Sequence, residues 1–146
     1  MDYNFVTDRV AVGAALSSVA DVAELLEREI THVVDCRSEF DDSSLFAEHG
    51  AVLLWIGVMD DGLPKPVSWF QEGIEFSLPV LAQPAKRVYF HCAAGVNRGP
   101  SMCYAVLRAW GLRPSQAENL IRMARPQVGL AYKGDADKAI VQLGYG

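Results

Sequence analysis

The stretch Val88-Tyr89-Phe90-His91-Cys92-Ala93-Ala94-Gly95-Val96-Asn97-Arg98-Gly99-Pro100-Ser101 decides the architecture. Its opening, Val88-Tyr89-Phe90, is apolar and β-prone, and the segment from Met102 to Trp110 is patterned as a helix. The chain must turn sharply between them, and Gly95 is a residue that accepts left-handed backbone. Strand, tight loop and helix is the layout in which loop N–H groups and a helix N-terminus converge on an anion. Cys92 sits at the mouth of that cradle, where such donors favour a thiolate. Arg98 follows in the same loop, and a planar guanidinium can hold two oxygens of one phosphate side by side. Read together, the residues describe a sulfur nucleophile facing the phosphorus of a phosphate monoester. His91 directly precedes the nucleophile, and Pro100 fits the first turn of the helix.

Outward from this stretch, strand and helix signals alternate. Phe5-Val6 and Val10-Ala11-Val12 are short strands around a hairpin turn at Thr7-Asp8-Arg9. Ser18 is placed to cap a helix carrying Val22, Leu25, Leu26 and Ile30 on one face. Thr31 to Cys36 reads as a buried strand, and Asp41 begins a short acidic turn or helix running to His49. Val52 to Ile56 is a continuous apolar run, which predicts a parallel strand covered on both faces. Met59 to Pro66 is a loop, followed by a helix from Val67 to Leu81 that Pro79 should kink or end. Gly111 stops the helix after the Cys92 loop, Pro114 opens another that closes at Arg125-Pro126, and Asp135 to Leu143 makes the last. The expected fold is a single α/β domain over 1–146, with a mostly parallel sheet of about five strands and helices on both sides. In that architecture the loops after Ile56 and after Phe90 leave the carboxyl ends of strands, the edge where such sheets place their sites.

Composition narrows the function. The 146 residues suffice for one full sheet-and-helix core. A net charge of −5 argues against nucleic acid or an anionic membrane as the partner. The longest strongly apolar run, Ala51 to Met59, is too short to span a bilayer. Three widely spaced cysteines do not form a secreted disulfide framework, and Met1-Asp2-Tyr3-Asn4 has neither the basic region nor the apolar core of a signal peptide. The expectation is a cytoplasmic protein. His32 and His49 lack partners at metal-ligand spacing and read as structural, and the thiolate chemistry of the Cys92 loop requires neither a metal nor an organic cofactor.

Departure of an alkoxide or phenoxide from phosphorus needs a proton, so the thiolate needs an acid on the opposite side. Asp60-Asp61-Gly62-Leu63-Pro64, on the loop after the upstream strand, offers one. His91, Cys92, Gly95 and Arg98, together with this acidic loop, resemble the cysteine-based protein tyrosine phosphatases, and the chain's small size is similar to their dual-specificity subgroup. The resemblance implies that Cys92 is the nucleophile. The main chain of Ala93, Ala94, Gly95, Val96, Asn97 and Arg98 would bind phosphate, and His91 would orient the loop. The Asp-Asp-Gly-x-Pro form is close to that of the regenerating-liver phosphatases, where the second aspartate acts, which assigns the acid to Asp61 with Asp60 as the alternate. The implied substrate is a phosphoprotein bearing phosphotyrosine or phosphoserine/threonine. Gly99 departs from the pattern, since the family usually has Ser or Thr there to assist loss of the thiolate. Ala93 and Val96 stand where lipid-phosphate members carry lysines. Parallel strands would bring Cys36 near Cys92, and relatives hold a cysteine at a similar position that bonds the nucleophile under oxidation.

Two other readings stay open. Val34-Asp35-Cys36-Arg37 and Arg98-Gly99-Pro100-Ser101-Met102-Cys103 also resemble rhodanese-like proteins and their cell-cycle phosphatase relatives. A phosphoprotein-binding module with weak turnover is the other.

Overall fold

The computed structural model describes residues 1–47 and 49–146. Five strands form one sheet: β1 (Tyr3–Phe5), β2 (Val10–Gly13), β3 (His32–Arg37), β4 (Val52–Val58) and β5 (Val88–His91). Their order is β1-β2-β5-β3-β4; only the β1–β2 pair is antiparallel. The helices are α1 (Val19–Glu27), α2 (Ser43–Phe46), α3 (Val67–Leu81), α4 (Arg98–Trp110), α5 (Pro114–Ala124) and α6 (Lys133–Gln142). No described helix is long and apolar enough to cross a membrane.

Side-chain alternation on the strands builds a core on each face. Val12, Val34, Val88 and Phe90 point toward Phe70, Ile74, Met102, Val106, Ile121 and Ile140 of the α3–α6 layer. Ala11, Val33 and Tyr89 point the other way, onto Val22, Leu25 and Phe46 of α1 and α2. Helices therefore flank both faces of a five-stranded, mostly parallel sheet. Gly13 and Asp35 both pair with His91, so β2 and β5 end level with one another, directly before Cys92, and β3 runs two residues further to Arg37.

Several local features differ from the sequence expectations. β4 is an edge strand, with Val52 52% and Trp55 42% exposed; its apolar run reflects edge packing, and the Trp55 indole donates to the carbonyls of Arg37 and Phe40. Ser18 makes no side-chain cap on α1; Asp21 instead accepts from the Ser17 N–H and hydroxyl. Helix α3 runs past Pro79 to Leu81. Of the turn expected from Asp41 to His49, only Ser43–Phe46 is helical, and Glu48 lies outside the described residues. Most consequentially, α4 begins at Arg98, not at Met102, so the loop runs straight into a helix N-terminus. Pro100 costs nothing there, because N–H groups in a first turn lack helical partners anyway.

Candidate active site

The loop from Cys92 to Arg98 is fixed by its carbonyls. Gly95 holds φ +68° and passes so close to Gly13 and Arg125 that a Cβ would lie 2.8 Å from Arg125 Nη2. The fully buried Arg125 donates through Nε to the Gly95 carbonyl (2.8 Å) and through Nη2 to that of Ala94 (2.9 Å). Its remaining donors meet Asp2 and Asn4 at the N-terminal strand. The Ala15 N–H binds the Ala93 carbonyl, and the Gly129 and Leu130 N–H groups bind that of Val96. With four consecutive carbonyls tied outward, the intervening peptide dipoles turn their N–H ends inward; among the described residues, no protein acceptor takes the N–H groups of Ala93 to Arg98. Cys92, 2% exposed, lies in this nest.

Arg98 is held from the opposite side. Its Nη1 and Nη2 donate to the two carboxylate oxygens of Glu39 (2.6 and 2.9 Å), and Nη1 also donates to the Val58 carbonyl (2.9 Å). The guanidinium beside Glu39 pulls that carboxyl down to about 2. Nε is buried without a partner, a donor that only an added acceptor such as an anion can satisfy. Glu39 was not singled out in the sequence, where Ser38-Glu39-Phe40 carries no motif.

Of the two candidate acids, the structure turns only one toward the loop. Asp60 accepts from the Tyr132 hydroxyl (2.7 Å) and is 3.5 Å from Asn97 Nδ2, the residue before Arg98. Tyr132 in turn accepts from the Gly62 N–H, which binds the acidic loop to the segment before α6. Asp61 faces away, accepting from Lys65 Nζ (2.7 Å) and from the Leu63 N–H (3.0 Å). The Lys65 contact, foremost, lowers its carboxyl below the usual range. That environment favours a permanent carboxylate.

Beneath Cys92 lies a buried group of charges. Arg37 donates to Asp35 (3.1 Å) and Asp42 (2.7 Å), and His91 Nε2 lies 2.5 Å from the other Asp42 oxygen. The carboxyl and imidazole groups of Asp35, Asp42 and His91 are close enough together to suggest a metal site, but Arg37 already bonds both carboxylates. Burial raises the Asp35 carboxyl against the pull of His91 and Arg37.

All three cysteines are free thiols. The Asp35–His91 pairing sets Cys36 of β3 level with Cys92, which directly follows β5. Burial, with the adjacent Cys92 charge, pushes the Cys36 thiol well up. Gly99 has a packing reason. A Cβ there would lie 2.9 Å from the His91 carbonyl carbon and 3.2 Å from the Cys92 nitrogen, so α4 approaches β5 too closely for a side chain.

No family model matches the chain. Over 75 residues it is 33% identical to human dual specificity protein phosphatase 5; that stretch is 51% of this chain and 19% of that protein. Among solved structures, human DUSP28 superposes with a TM-score of 0.80 at 18% identity, covering 99% of this chain and 96% of that one. PTPMT1 in complex with PI(5)P gives 0.79 at 19% identity, covering 97% and 98%. The human tyrosine phosphatase-like serine/threonine/tyrosine-interacting protein gives 0.80 at 13%, covering 97% of each. The fold is that of the protein tyrosine phosphatases. Within that class, the chain's likenesses in sequence and structure lie among the dual-specificity phosphatases and related small members.

Proposed function

We propose that this protein is a phosphatase that hydrolyses phosphate monoesters on phosphoproteins through a phosphocysteine at Cys92. The observation that carries the reading is the nest of inward N–H groups around Cys92, completed by the unpartnered Nε of Arg98. In the first step the Cys92 thiolate forms the S–P bond as the P–O bond to the leaving group breaks. The departing oxygen takes a proton from Asp60. In the second step Asp60, now a carboxylate, removes a proton from water; the water oxygen bonds phosphorus, the S–P bond breaks, and the thiolate and phosphate are released. Loop amides and Arg98 Nε stabilise the equatorial oxygens, while Glu39 and the Val58 carbonyl fix the guanidinium's other edge. Asp60 is preferred to Asp61 for this role because its contacts are with Asn97 and Tyr132, whereas Asp61 is engaged by Lys65.

Exposed side chains next to Glu39 and on the acidic loop support a phosphoprotein substrate. Phe40, Met59 and Leu63 are exposed and apolar, Ala93 and Val96 add no cation, and Lys65 is engaged by Asp61. A Cys92→Ser variant offered phosphopeptides and phosphatidylinositol phosphates in parallel tests this. The reading expects phosphopeptides to be retained by the variant and dephosphorylated by wild type. Turnover of the lipids alone would transfer the substrate to another class, and binding without turnover by wild type would favour a recognition module.

A further inference from the structure

The buried charges under Cys92 fasten both halves of the site, and one residue belongs to both fastenings. His91 Nδ1 lies 3.1 Å from the Cys92 carbonyl oxygen. A carbonyl can only accept, so Nδ1 carries a proton. Nε2 lies 2.5 Å from Asp42 Oδ2, a second polar contact that also needs a proton between its atoms. The other Asp42 oxygen takes a charged hydrogen bond from Arg37 Nη2 (2.7 Å), which favours an ionised carboxylate. Both ring nitrogens of His91 are thus placed to donate, one to the nucleophile's own peptide and one to Asp42.

The groups facing His91 are few. From β3 come Asp35, whose Oδ1 is 3.8 Å from Nε2, and Arg37; ahead of α2 comes Asp42. From β5, the Tyr89 ring stacks at 5.4 Å and 18°, and burial raises its hydroxyl so that it stays neutral. Helix α4 comes close to His91 through the Gly99 backbone. The two carboxyl groups thus face Arg37 and His91.

Asp42 also closes the other half. The segment Ser38–Asp41 carries Glu39, which grips Arg98. Its base is drawn together by the Arg37 and Asp42 N–H groups, both donating to Asp35, and by the Arg37–Asp42 ion pair.

We infer that Asp42 is a positioning residue that holds His91 as an imidazolium under the Cys92 thiolate and anchors the loop presenting Glu39 to Arg98. This rests on the reading of Cys92 and Arg98 as the phosphate site, but its test needs no turnover. In wild type, ¹⁵N-histidine spectra at neutral pH should show His91 with protons on both ring nitrogens. In full-length Asp42→Asn, mapped iodoacetamide alkylation of Cys92 at pH 6 should slow about tenfold and match wild type at strongly alkaline pH. Inorganic phosphate should also protect Cys92 less well. A single bare ring nitrogen in wild type would overturn the inference, even if Asp42→Asn did not fold. Unchanged alkylation at pH 6 in a folded variant would overturn it as well. An inactive wild type with the expected spectra and alkylation would sink the phosphatase reading and leave this one standing.

Discussion

The two loops that bound the site are held in opposite ways. The Cys92–Arg98 loop is buried at its floor and braced by backbone: four carbonyls are tied by Arg125, Ala15, Gly129 and Leu130, and Gly95 and Gly99 pack where no side chain fits. The Met59–Pro66 loop is exposed and hangs on side chains: Tyr132 on Asp60 and Gly62, Asp135 on the Lys65 N–H, Lys65 on Asp61. A loop built on main-chain contacts keeps its donors aimed before any ligand arrives. One built on a few side-chain contacts can open and close at small cost. The difference suits a rigid phosphate cradle and an acid that must admit a substrate.

The largest effects should come from breaking the rigid loop's chemistry. Cys92→Ser should abolish aryl phosphate hydrolysis, and Arg98→Lys should lower kcat about 10³-fold, since a point charge cannot replace the fork held by Glu39. Steady-state assays decide; appreciable turnover in Cys92→Ser would end the account. Next comes the exposed loop. Asp60→Asn should cut turnover about 10²-fold or more for poor leaving groups, and far less for a dinitrophenyl ester. Asp61→Asn, at an exposed side chain turned toward Lys65, should stay within about twofold. The opposite ranking would move the acid back to Asp61.

Gly99→Ser separates chemistry from packing. The sequence resemblance suggests that a hydroxyl here would speed loss of the thiolate, but the close approach of α4 to His91 makes the side chain an overpacking fault. The variant should lose about 1–3 kcal/mol in denaturant unfolding and gain no turnover. Full stability with faster turnover would mean that the loop has more give than its contacts indicate. The smallest effect concerns Glu39. Its carboxyl is depressed in the folded state to about 2, so its contribution is complete above the unfolded value and is lost as pH falls through the folded one. The stability gap between wild type and Glu39→Gln should therefore be constant near neutrality and close between about pH 4.5 and 2, read by thermal melts. Because Glu39 is exposed, the gap itself should be modest.

The same contrast explains what could be read in the residues. The rigid loop was legible because close backbone approach leaves few choices: glycine at Gly95, arginine at Arg98 and a strand of four buried residues before them. The alternation of strands and helices followed for a similar reason, since a two-sided sheet demands it. The choice between Asp60 and Asp61 was not legible, because it depends on Tyr132 and Lys65, and no local pattern says which neighbour each aspartate meets. Arg125 could be read only as the end of a helix and Asp42 only as part of an acidic turn, and Glu39 lies in no motif. Their roles arise from partners far away in sequence, Gly95 and Asp2 for one, Arg98 and His91 for the others. The exposed edge of β4 escaped for the opposite reason: an apolar run looks the same whether one face is covered or two.

The most direct test is to trap the intermediate. Wild type, Asp60→Asn and Asp61→Asn should each be mixed with dinitrophenyl phosphate, whose departure needs no acid, quenched in acid within milliseconds and mapped by mass spectrometry. The account predicts one phosphoryl group on Cys92, accumulating most in Asp60→Asn because that variant lacks the base for the water step. Turnover with no phosphoryl group on Cys92, or with the group on any other residue, would contradict it.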